Sequence, residues 1–297
     1  MKRERAARSP DDVASRGVAL ASLHAAVALF GFAGLFGKWI DLPPPAIVLG
    51  RAGIAALALG VLLAVRRESL GRFEWRIAIS GALLAAHWFT FFQAIQSAGV
   101  AVGLLGFASF PVFVVLLEAM FLGRQASTRE LLATALVCTG LLLVVPSFDF
   151  GDRAVQGLAW GVFSGASFAL LAVCNRAFAA GSKALRIALW QNAIAALCLV
   201  PAVALAPSMP SAHDLMMIIV LGVVCTALAH TLFIKSLRAV SAHTASVVAC
   251  LEPVYGIALA VVLLHEVPNL RTAAGGVMIV GAAMWETLAA RPQEAAG

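Results

Sequence analysis

Five ionisable residues stand inside long apolar runs: Arg51, His87, Glu118, His230 and Glu252, with His24 nearer the end of a run. On insertion scales such a group costs roughly 2.5–3.5 kcal/mol at the bilayer centre, so it faces a cavity or a partner and marks a candidate functional site. Arg51 carries a permanent charge and a fork of N–H donors suited to a carboxylate; the alternatives are snorkelling to the outer interface or pairing with a helix C-terminus. Glu252 directly precedes Pro253 in the middle of a run, where proline predicts a helix kink. A carboxylate there satisfies freed backbone groups, binds an ammonium or carries a proton. His87 and His230 are either proton carriers or hydrogen-bonded packing residues. No second histidine lies one helical turn away on either run, so no metal site is expected.

Two polar stripes accompany these groups. His87, Thr90, Gln93 and Ser97 recur at helical spacing on one run. Trp160, Ser164, Ser167, Leu171 and Cys174 do so on another, where the Trp160 N–H suits a pocket wall. The matching stripe near the N-terminus is Leu20, His24, Val27, Gly31 and Gly34, whose small residues suit close helix packing. Tyr255, the chain's only tyrosine, lies one turn after Glu252. The expected substrate-contacting set is therefore Trp160, Ser164, Glu252, Tyr255, His87 and Gln93. Glu252, His230 and Arg51 form the expected proton or charge relay. Trp88, Phe91, Phe107, Phe110, Phe168 and Trp190 are available as further aromatic walls. No catalytic residues and no cofactor are expected: HExxH, GxSxG and aspartate-rich metal motifs are absent, and none of the five cysteines forms a CxxC pair.

What must position these residues is a membrane bundle. The chain has 297 residues, 62% hydrophobic and only 12% charged, against about 25% charged in soluble domains. Residues 18–290 are one apolar tract cut by short polar breaks into runs at 18–40, 45–65, 77–97, 101–122, 131–148, 157–179, 185–206, 214–236, 242–264 and 272–290. A helix needs roughly 20 apolar residues to cross a bilayer, and alternating ten-residue barrel strands are absent. The predicted fold class is thus all-α, with ten transmembrane helices. The net charge of +6 reflects orientation rather than nucleic-acid binding. With the N-terminus in the cytoplasm, only Lys38, Arg153 and Arg271 fall outside and Arg51 within a span; every other Lys and Arg falls inside. Both termini are then cytoplasmic, in an inner-membrane, multi-pass protein.

The second half echoes the first at a near-constant offset of about 140 residues. GIAALAL at 53–59 matches AIAALCL at 193–199, and SFPVFVVLLEAMFLGR at 109–124 matches LEPVYGIALAVVLLHE at 251–266, with Pro111 falling on Pro253. Five spans per repeat is odd, so the second repeat enters the membrane inverted. Inverted repeats around a midplane site are a recurrent design of secondary transporters. The expected organisation is a disordered cytoplasmic arm (1–17), a first five-helix repeat (18–148), an outside linker (149–156), a second five-helix repeat (157–290) and a cytoplasmic tail (291–297).

The Arg51-Ala52-Gly53 start of the second span, Ser109-Phe110-Pro111-Val112-Phe113, the run from Leu237 through Leu251-Glu252-Pro253-Val254 to His265-Glu266, and Gly275 and Gly281 together resemble the drug/metabolite transporter superfamily, in its ten-helix branch of two EamA-type domains. The resemblance covers residues 18–290. It implies export of small metabolites, often amino acids, and the aromatic-rich interior is most similar to the aromatic amino-acid exporters. One departure is Arg124, where the family often has a glutamate, as at Glu266. The expected function is alternating-access export of small amphipathic metabolites, amino acids above all. Drugs or nucleotide-sugars are the alternative cargo, and an intramembrane enzyme is the alternative of another class. The expected partners are a small-molecule substrate and the lipid bilayer, with neither nucleic acid nor an obligate protein partner.

Overall fold

The structure is a computed structural model that describes residues 10–71, 74–122, 127–144, 152–178, 184–236 and 248–289. The expected arm, linker and tail, and the first residues of the ninth run, lie wholly or partly outside these. Among the described residues every regular element is helical: α1 (Pro10–Ala33), α2 (Phe36–Trp39), α3 (Pro44–Val65), α4 (Trp75–Ala98), α5 (Val100–Phe107), α6 (Phe110–Leu122), α7 (Thr128–Val144), α8 (Arg153–Phe178), α9 (Ala184–Leu205), α10 (Ala212–Gly222), a π-turn (Val223–Leu228), α11 (Ala229–Ser236), α12 (Glu252–Leu264) and α13 (Leu270–Ala289). The first helix starts at Pro10, ahead of the first apolar run.

Among the described residues, seven segments are long and apolar enough to cross a membrane: Gly17–Trp39, Pro44–Val65, Trp75–Ala98, Val100–Leu117, Arg153–Ala172, Leu185–Leu205 and Ala212–Phe233. Glu252–Leu264 and Leu270–Trp285 are shorter apolar helices. Large apolar side chains such as Leu57, Val61, Met120, Phe163, Leu197, Val262 and Val277 are exposed around the outside. That is the surface a bundle presents to lipid, not to water.

Local chemistry ends the helices where the sequence breaks. Ser127 and Glu130 cap α7 reciprocally, at 3.3 and 2.7 Å. Ser211 and Asp214 form the same capping box at α10. Pro44 occupies the first turn of α3, where a missing N–H costs nothing. Left-handed His265 (φ 56°) terminates α12, and Glu266 N–H bonds Ala260 O across it at 3.2 Å.

The ninth run is interrupted next to its proline, with turn residues at 250–251. Pro253 is the second residue of α12, which begins at Glu252 after a turn closed by Leu251 N–H to Val248 O at 3.0 Å. In α6 Pro111 holds the same second position, after a turn closed by Ser109 N–H to Gly106 O at 3.2 Å. Both prolines therefore open a helical segment, where their lack of an N–H removes no ladder bond.

The long helices cross through glycine. A methyl on Gly31 would lie 2.7 Å from Gly256 N, joining α1 to α12. One on Gly106 would lie 2.9 Å from Gly161 Cα, joining α5 to α8, and one on Gly140 would lie 2.8 Å from Gly275 O, joining α7 to α13. Backbones in van der Waals contact are how apolar helices associate where no hydrophobic effect separates them from lipid. Around these crossings α4 packs on α8 and α9, α3 on α9 and α10, and α1 on α11.

Candidate functional site

Arg51, about two turns into α3, is only 3% exposed. It does not snorkel, and it caps no helix C-terminus. Its Nε and Nη2 donate to Thr226 Oγ1 at 3.2 and 3.0 Å. Its guanidinium carbon lies 4.0 Å from the centre of the Trp88 ring and 5.5 Å from that of Phe92. A desolvated cation over an indole face is attracted by about 2 kcal/mol. The buried position arises because α3 is flanked by α4, which supplies the rings, and by the π-turn, which supplies the hydroxyl.

Trp88 extends the cluster. His230 of α11 stacks on its indole at 6.1 Å and meets Phe30 edge-on at 5.4 Å. Glu252, on the first turn of α12, lies within Coulombic range of Arg51 without an ion-pair contact. Among the described residues, the Glu252 carboxylate and both His230 nitrogens have no hydrogen-bond partner. Arg51 likewise keeps the N–H groups that Thr226 does not use. Glu252 and His230 are half-buried, so these unfilled donors and acceptors are open to water or a ligand.

His87, one residue before Trp88, faces the other way. Its Nδ1 lies 2.8 Å from Ser164 Oγ on α8, and Phe91, Phe107 and Phe168 surround the ring at 6.0, 5.2 and 5.1 Å. The expected set therefore separates into parts. Arg51 and His230 gather on Trp88, with Glu252 within Coulombic range of Arg51, and His87 and Ser164 pair on the other side of α4. Gln93 donates to Ser97 Oγ at 3.2 Å, further along α4. Tyr255 joins α12 to α1 through a 2.8 Å hydrogen bond with His24 Nδ1. Trp160 is not brought into the cluster: it is 38% exposed, edge-on to Phe89 at 5.9 Å. The buried part of its stripe begins at Ser164, because Gly161 and Gly165 take the crossing against α5 and the start of α6 and turn the indole outward.

Sequence reasoning missed Thr226. A lone hydroxyl within Val-Val-Cys-Thr-Ala-Leu was the only signal, and a 3.6-residue period cannot register a π-turn, which shifts the helical phase.

Residues 16–145 and 155–287 each match the EamA-like transporter family. The chain belongs to that family. It is a multi-pass membrane transporter, and its curated relatives are transporters, not enzymes. It is 23% identical over 273 residues to "Uncharacterized transporter YxxF" of Bacillus subtilis, covering 89% of this chain and 88% of the relative. It is 26% identical over 244 residues to "Pseudopaline exporter CntI" of Pseudomonas aeruginosa, covering 80% and 84%. A crystal structure superposes with a TM-score of 0.65 at 20% identity, over 91% of this chain and 96% of that one, a likeness of fold alone.

Proposed function

We propose that this EamA-like protein is a secondary carrier that exports amino acids, hydrophobic or aromatic ones above all, across the inner membrane. It works by alternating access between two inverted five-helix repeats, residues 18–148 and 157–290, with both termini in the cytoplasm.

The observation that carries the cargo is the Arg51 guanidinium, held by Thr226 and Trp88 with N–H groups to spare. Arg51 lies over Trp88, on which His230 also stacks, and Glu252 stands within Coulombic range of Arg51; Arg51 and Glu252 each keep hydrogen-bonding capacity. A free amino acid supplies what is missing, a carboxylate for the guanidinium and an ammonium for the glutamate, and the surrounding rings accept an apolar side chain. One interior arginine is a poor match for phosphate-bearing cargo, which calls for several cations. The exporter named among the relatives supports outward movement.

The repeat arrangement has its own support. The family matches twice along the chain. Contacts come in exchangeable pairs, as two inverted halves require: α8 against α4 and against α5 and α6, with α1 against α11 and against α12 in return. The turns before Pro111 and Pro253 are a further pair at the same offset.

Solute counterflow in proteoliposomes tests the reading. Vesicles are loaded with one unlabelled amino acid at a time, and uptake of labelled L-phenylalanine is followed. Accumulation that depends on the internal amino acid, and is lost in Arg51→Ala and Glu252→Gln while both variants elute as folded protein, is the expected result. No counterflow with any amino acid from folded protein would hand the site to another cargo class, drugs or nucleotide-sugars.

A further inference from the structure

A hydroxyl group has one proton to give and two lone pairs to receive, and Thr226 uses all three. Its Oγ1 donates to Leu221 O at 2.8 Å, the carbonyl five residues back along the chain, and accepts from Arg51 Nε and Nη2. The i to i−5 reach belongs to the π-turn Val223–Leu228 in which Thr226 sits. Short π segments inside α-helices frequently occur at functional sites. Thr226 itself is fully buried, so neither water nor lipid competes for these bonds.

The consequence for Arg51 is geometric. A guanidinium offers two flat edges to a carboxylate, a side edge made of Nε and one Nη, and an end edge made of the two Nη groups. Thr226 fills the side edge. Trp88 covers a face at 4.0 Å. The end edge, with one proton from Nη1 and the second from Nη2, has no acceptor among the described residues. It is a preset fork for one bidentate anion.

We propose that Thr226 is a positioning residue that makes the carrier selective for a carboxylate head group, by holding Arg51 with its end edge free. The proposal rests on the amino-acid reading of the site. Glu252 lies within Coulombic range of Arg51 and makes no ion-pair contact with it, so it does not fill the free edge. A lysine at position 51 would supply the charge without the fork, and a valine at position 226 would keep the shape without the acceptor.

The test compares an acid with its amide. Counterflow of L-phenylalanine is measured in competition with L-phenylalaninamide, which keeps the ammonium and the ring but lacks the carboxylate; if another amino acid gives the larger counterflow, that acid and its amide are used. Thr226→Val is expected to raise the apparent KM for the acid on the order of tenfold with little change in maximal rate, as expected when binding to an orienting group is lost. Affinity for the amide hardly moves, so the preference for acid over amide collapses. Thr226→Ser, which retains the hydroxyl, restores most of that preference, and Arg51→Lys loses it. An equal loss for acid and amide in Thr226→Val, or an unchanged preference, overturns the proposal and leaves Thr226 a packing residue. Absence of counterflow by the unsubstituted protein with every amino acid overturns the functional reading, and this one falls with it.

Discussion

Lys38 Nζ lies 3.5 Å from Glu266 Oε1, joining α2 to the residue just past α12. The other carboxylate oxygen, Oε2, accepts Val100 N–H at 2.9 Å, at the first residue of α5. One side chain thus ties three elements at the same end of the bundle. Asp214 Oδ1 makes a parallel tie there by accepting Asp41 N–H at 2.9 Å. The Lys38–Glu266 pair is about one-third exposed, so as an ion pair it contributes at most about 1 kcal/mol. Glu266 adds a charge-assisted bond at the positive end of a helix. Alternating access requires these ties to break whenever that end opens. A short bis-methanethiosulfonate linker, which joins Lys38→Cys and Glu266→Cys through disulfides, in a background without the native cysteines, is expected to abolish counterflow until reductant is added. Full counterflow by the completely cross-linked protein would mean that this end does not open. Among single variants, Glu266→Ala should release the end more than Lys38→Met, since it loses the helix bond as well as the ion pair.

The α1–α12 crossing sets the position of Glu252. A Cβ on Gly31 would meet Gly256 N at 2.7 Å and Glu252 O at 2.8 Å. These are backbone atoms that cannot rotate aside, so Gly31→Val must push α12 away from α1. Overpacking of this kind costs about 1–3 kcal/mol, and here it also moves the carboxylate. The expected outcome is a lower melting temperature in detergent together with weaker counterflow. Gly53→Ala and Gly281→Ala serve as controls, because nothing lies within 4 Å of a Cβ at either position. They should be neutral, or stabilising by up to about 1 kcal/mol through helix propensity. Melting curves that rank Gly31→Val with the two controls would remove the close-crossing account.

Hydropathy made the bundle legible, because a bilayer imposes length and polarity on every span at once. The proline match was also visible, but its meaning was not: Pro111 and Pro253 suit either a kink or a helix start, and only the turn bonds at Ser109 and Leu251 distinguish them. Arg51, His87, His230 and Glu252 stood out as expensive residues in apolar runs, and burial of Arg51 and His87 follows from that expense. Which of them face one another depends on helix rotation, which spacing within one helix cannot fix. Trp160 shows the limit. Its stripe runs true through Ser164, Ser167 and Leu171, yet glycine contacts one turn away decide that the indole faces outward.

Ser164 fixes the tautomer of His87. Its hydroxyl donates to His87 O at 3.1 Å, so the 2.8 Å contact between Ser164 Oγ and His87 Nδ1 must be a donation from Nδ1–H. Ser164 O, 3.2 Å from the same nitrogen, can only accept and points to the same assignment. In the neutral ring Nε2 is then a lone-pair acceptor among the rings of Phe91, Phe107 and Phe168, with no partner among the described residues. Nitrogen-15 spectra of histidine-labelled protein should show His87 carrying its proton on Nδ1. Ser164→Ala removes both side-chain bonds at a cost of about 1 kcal/mol each, and should replace the single tautomer with a mixture while lowering the melting temperature. A wild-type spectrum with the proton on Nε2 would reverse the hydrogen-bond directions at this pair. The ring would then turn a donor, not an acceptor, toward Phe91, Phe107 and Phe168.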